Sequence, residues 1–183
     1  AASDVYKRQH ALGDLAARWQ EDVIDLRPDV LSVFVGTNDA ERHLGRLLRA
    51  DDPKTVPDFD FADWERTYRG LLDQARQANP ALKIVLCTPF AAPCGKIVEG
   101  ALGEYYPLRQ RILAQCCVIV ERIAADYGAT LVPFHRLIAD LETRLPNGDA
   151  TYWVWDGIHP TPAGQRLMAD CWIGAAARSG VME

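Results

Sequence analysis

A chain of 183 residues with 49% hydrophobic content carries enough apolar material for one buried core, so a single domain is expected. Its 20 basic and 25 acidic residues leave a net charge of −5 with no Lys/Arg block, which argues against nucleic-acid binding. No run of about 18 apolar residues is present to span a membrane.

The chain opens on Ser3-Asp4-Val5-Tyr6-Lys7-Arg8-Gln9, which resembles the translation of a transposase end sequence used in sequencing-library adapters. Residues 1–9 are therefore read as a non-native tail and residues 10–183 as part of a domain. Leu12, Leu15, Ala16, Trp19, Val23 and Leu26 then recur at helical spacing until Pro28, predicting an amphipathic helix. Val30 to Val35 is a continuous apolar run with β-branched residues, the pattern of a strand covered on both faces. Gly36-Thr37-Asn38-Asp39 follows at its carboxyl end, where open α/β sheets bind ligands.

Residues 50–60, with Pro53 and Pro57, read as a loop long enough to help shape a pocket. A helix is predicted from about Phe61 to Asn79, a second strand over Lys83–Thr88, and a loop over Pro89–Gly95. A long helix over Tyr106–Tyr127 with Gly128 as its cap precedes a third strand, Ala129–Phe134. A helix from about His135 to Leu145 and a turn at Pro146-Asn147-Gly148-Asp149 come next. After the Trp153–Pro160 segment, Thr161 and Pro162 suit the cap and first position of a last helix. Strands alternating with helices of this length imply a parallel sheet in a three-layer α/β domain.

Asp156 and His159, three residues apart and bracketed by Trp155 and Pro160, are placed so that a carboxylate can steer an imidazole. Alone, this spacing fits better an Asp capping the next helix and a His facing water. Cys87, Cys94, Cys116, Cys117 and Cys171 are odd in number and lack metal-ligand spacing. They read as buried small hydrophobes in a reducing compartment, which points to the cytoplasm, and no metal or other cofactor is expected.

Gly36-Thr37-Asn38-Asp39 after a strand resembles the Gly-x-Asn-Asp block of the SGNH (GDSL-type) hydrolases, and Asp156-Gly157-Ile158-His159-Pro160-Thr161 resembles their C-terminal Asp-x-x-His block. The resemblance runs from about Leu12 to Trp172. It implies a flavodoxin-like three-layer α/β/α sandwich and ester hydrolysis at the carboxyl edge of the sheet. It implies further that His159 is a general base, that Asp156 orients and stabilises its ring, and that Asn38 donates its amide to the oxyanion. On the same footing the substrate is a small-molecule ester with a short acyl group, an acetylated carbohydrate among the candidates. Phe90, Tyr152, Trp153 and Trp155 are then candidates to line a sugar-sized pocket, Phe90 and Trp155 foremost, with a core role open for at least two of the four.

The family's nucleophilic serine lies in a Gly-Asp-Ser block after its first strand, and a further block supplies an oxyanion-binding glycine. Neither block is in these 183 residues. Ser3, Ser32 and Ser179 are the only serines, none in a glycine-bounded turn after a strand, and Cys87 and Cys94 have no neighbouring base. The expectation is an esterase fragment without its first strands, inactive as it stands. The alternative is a non-catalytic binding module on the same scaffold. Without the first strands, Val30–Val35 or a neighbouring strand would expose an unpaired edge and a bare face, and the chain alone is expected to be poorly soluble or molten.

Overall fold

The structure, a computed structural model, describes residues 10–144 and 150–182. The tail at 1–9 and the turn at 146–149 lie outside the described residues. Three parallel strands, β1 (Val30–Phe34), β2 (Lys83–Cys87) and β3 (Thr130–Val132), stand side by side in chain order. Leu31 faces Ile84, Val33 faces Leu86, and Val85 faces Thr130.

Side chains alternate across the sheet and so build two cores. Leu31, Val33, Ile84 and Leu86 pack with α1 (Leu12–Trp19), α3 (Phe61–Ala78) and α5 (Tyr106–Asp126). On the opposite face Val85, Cys87 and Val132 pack with α6 (Phe134–Arg144) and α7 (Pro162–Arg178). This is the expected α/β/α sandwich, with each apolar run serving the layer that its period-2 alternation points to.

Three local departures have physical causes. The helix predicted to run through Leu26 turns at Gln20–Ile24 into a wider turn, with the Asp25 amide donating to Gln20 O at 2.8 Å, and so ends before Pro28. Second, the segment after β1 is not only a turn. Thr37–Arg49 forms a full helix, α2, because Ala40, His43, Leu44 and Leu47 recur at helical spacing and are all buried. A short helix, α4 (Gly100–Glu104), also precedes α5.

Third, β1 was expected to be covered on both faces, but its burial alternates, with Val30 38% and Phe34 48% exposed. Among the described strands β1 pairs only with β2, so it is an edge, and the α6/α7 layer covers it only in part, with the Phe134 ring set edge-on to Phe34 at a centroid distance of 5.2 Å. Trp172 of α7 donates its indole N–H to Ser32 Oγ at 3.1 Å.

Candidate active site

The Asp156/His159 segment is the tip of a tight hairpin. Trp155 N donates to His159 O at 3.2 Å and Thr161 N to Trp153 O at 2.9 Å, with Val154 bridged to Pro160. The turn needs Gly157, whose φ is +93° and whose missing Cβ would fall 2.4 Å from Ile97 Cδ1. Asp156 Oδ1 accepts the amides of Ile158 at 3.1 Å and His159 at 2.8 Å, the usual device by which an Asp closes a turn. Its other oxygen, Oδ2, lies 2.7 Å from His159 Nδ1.

Burial works against the ionised Asp156 carboxyl, but the His159 ring and the two amides outweigh it and hold the group below its ordinary value. An ionised carboxylate only accepts, so Nδ1 is the donor, and in the neutral ring that leaves Nε2 with the lone pair. The His159 side chain is 49% exposed and Asp156 16%, so the ring is open to a reactant while its partner is shielded. The Trp155 ring lies over His159, with centroids 6.0 Å apart and planes at 25°.

His159 shares a cleft of about 440 Å³ with Phe34, Gly36, Thr37 and Asn38, at the carboxyl end of β1. Gly36, at φ +128°, turns the chain from strand into α2 where a Cβ would strike Pro89 Cγ at 2.8 Å. Thr37 Oγ1 donates to Phe90 O at 3.0 Å, which pins the start of the helix to the next loop. The cleft therefore opens on the positive end of a 13-residue helix. Asn38 Nδ2 donates one hydrogen to His10 O at 3.2 Å, and an amide nitrogen carries two. Beside it, Asp39 Oδ1 accepts the Leu12 amide at 3.0 Å, tying α2 to α1. Burial raises the Asp39 carboxyl, opposed by the Leu12 amide and the Trp64 indole.

The structure brings Asp156, His159 and Asn38 to one end of the sheet. It does not bring Phe90 there as a surface residue: Phe90 is 3% exposed, part of the α6/α7 core, and stacked on Phe34 at 6.1 Å. Trp155 at 57% and Tyr152 at 64% exposed flank the hairpin tip, whereas Trp153 is half-buried under Tyr152. The 50–60 segment lines a separate hollow of about 900 Å³ against α5, and another of about 710 Å³ lies against α2 and α3. Neither is lined by Asp156 or His159.

All five cysteines are free thiols, four buried and Cys171 half-buried. Burial pushes Cys87 up to about 12, and Cys94 gives its thiol hydrogen to Val154 O at 2.8 Å. Ser32 accepts from Trp172, and Ser179 Oγ donates to Ala176 O at 3.1 Å. No described serine lies beside His159 Nε2. Ser3 is outside the described residues.

Residues 4–167 match the model of the GDSL-like lipase/acylhydrolase family. An acetylxylan esterase of Geobacillus stearothermophilus is 32% identical over 163 residues, which are 87% of this chain and 64% of that protein. The chain thus spans under two thirds of that relative's length. A crystal structure of an acetylxylan esterase from the same organism superposes with a TM-score of 0.70 at 26% identity, covering 91% of this chain and 68% of that one. Catalytic mutants of that esterase replace a serine and an aspartate by alanine. A GDSL-like lipase structure from Parabacteroides merdae gives a TM-score of 0.76 at 27% identity, covering 92% of this chain and 69% of that chain. The chain belongs to the GDSL-like lipase/acylhydrolase family.

Proposed function

We propose that this chain is the base and oxyanion half of a serine esterase that removes short acyl groups, acetyl in particular, from carbohydrate. The observation that carries the reading is the Asp156–His159 pair, 2.7 Å apart, on a cleft shared with Asn38 at the head of α2. In this reading a serine hydroxyl attacks the acyl carbon while His159 Nε2 takes its proton. Nε2 then returns that proton to the leaving alkoxide, and water repeats the sequence to free the acid. Asp156 stabilises the imidazolium formed at each step. Asn38 and the positive end of α2 offset the oxyanion charge.

The nucleophile belongs, in this proposal, to a segment N-terminal to residue 10. Three parallel strands paired in chain order match the last three of the flavodoxin-like order 2-1-3-4-5, which leaves the β1 edge for the strand that carries the serine. Similarity to an acetylxylan esterase and the exposed Trp155 and Tyr152 support a sugar ester as substrate. Neither Ser32 nor Ser179 is placed to attack, which is also the observation that favours a binding module on the same scaffold.

The test is hydrolysis of p-nitrophenyl acetate by the chain extended with its in-frame upstream coding segment. Activity is expected, falling about 10³-fold or more in His159→Ala and about 10²- to 10³-fold in Asn38→Ala. The 183-residue chain should stay at the buffer rate. No turnover by the extended, folded protein would leave the binding module as the reading. A His159-dependent rate in the short chain would overturn the missing nucleophile.

A further inference from the structure

Arg109, in the first turns of α5, is wholly buried at 0% exposure, an unusual place for a guanidinium. It grips Glu41 with two nitrogens, Nε to Oε1 and a terminal nitrogen to Oε2 at 3.2 Å. Its remaining terminal nitrogen donates to Ile97 O at 3.1 Å. Glu41 lies three residues beyond Asn38, on the same helix.

Ile97 belongs to the segment against which the catalytic hairpin is moulded. Its side chain fills the space over Gly157, and Gly95 lies so close to Asp156 that a Cβ there would be 2.5 Å from Asp156 Cα. Ala92 N donates to Gly157 O at 2.8 Å and Cys94 Sγ to Val154 O at 2.8 Å. Gln110, next to Arg109, holds the same segment by donating to Ala91 O at 2.9 Å.

We infer that Arg109 is a positioning residue that sets the Asn38 helix and the Asp156/His159 hairpin at a fixed separation. One planar cation is bonded at once to the helix that carries the oxyanion donor and to the backbone that seats the base. A buried ion pair adds little net stability over apolar packing, so its use here answers to geometry. The fork matters because a guanidinium serves two acceptors in set directions, whereas an ammonium is a point charge. The inference rests on the proposed roles of Asn38, Asp156 and His159.

Hydrogen exchange of this chain, read by mass spectrometry at low concentration, tests it without turnover, so its failure would leave the esterase reading standing. In Arg109→Met, peptides covering residues 37–41 and 156–159 should exchange about tenfold faster or more, while β2 keeps its protection. Arg109→Lys, still charged opposite Glu41, should restore 37–41 but not 156–159. Unchanged exchange at both sites in Arg109→Met would overturn the inference. Equal acceleration in β2 would do the same, because it would make Arg109 a stability residue only. If Arg109→Met does not fold, Arg109→Lys decides, and full protection of 156–159 in that variant overturns the proposal.

Discussion

At Asp156 the two carboxylate oxygens have separate duties. Oδ1 closes the turn by accepting two amides, and Oδ2 aligns His159. A group held below its ordinary value in the fold contributes stability above its unfolded value, about 4, and that contribution disappears as pH falls through the folded value. The chain should therefore lose stability to acid at this site, and Asp156→Asn should lack that part of the loss. Urea midpoints of the two proteins should differ most above about pH 5 and draw together as pH falls below about 4. A gap that stays constant with pH would mean the carboxylate charge is not what the turn uses. Asn38 uses one hydrogen of its side-chain amide on the His10 carbonyl at 3.2 Å, and an amide nitrogen carries a second.

On the scale of elements, the hairpin that carries Asp156 and His159 is held from below by the start of α7. Thr161 accepts the Gly164 amide at 3.2 Å as the helix cap and donates its hydroxyl hydrogen to Tyr152 O at 2.7 Å. Thr161→Ala should cost about 1 kcal/mol for the cap alone, measured by chemical denaturation, with more if the hairpin frays with it. A loss confined to about 1 kcal/mol would show that cap and hairpin are independent, and an unchanged midpoint would overturn the prediction. This element was legible in the sequence, because a Thr-Pro pair carries its own local chemistry. The α2 helix is absent from the predicted elements, although Ala40, His43, Leu44 and Leu47 spell its buried face, because the Gly-Thr-Asn-Asp block that opens it carries no apolar residue to start the periodicity. Arg109 and Glu41 are 68 residues apart, and nothing local marks either.

For the molecule as a whole, the exposed side of β1 decides behaviour. Val30 and Phe34 lie on an edge strand whose other ladder groups have no partner among the described strands, the arrangement that invites pairing between chains. The chain alone should associate with rising concentration in sedimentation velocity, and Val30→Lys should shift it toward monomer, since a charge on an edge discourages pairing. A wild-type chain that stays monomeric throughout the series would refute this. Sequence alone determined the three strands, the long helices and the sheet's parallel class, because apolar periodicity and turn chemistry act over a few residues. Tertiary structure decided which residues meet: that Phe90 goes to the core while Trp155 stays exposed, that β1 is an edge, and that Arg109 bonds both Glu41 of α2 and the Ile97 carbonyl. Those outcomes depend on contacts between segments far apart in the chain, and such contacts leave no periodic trace in either segment.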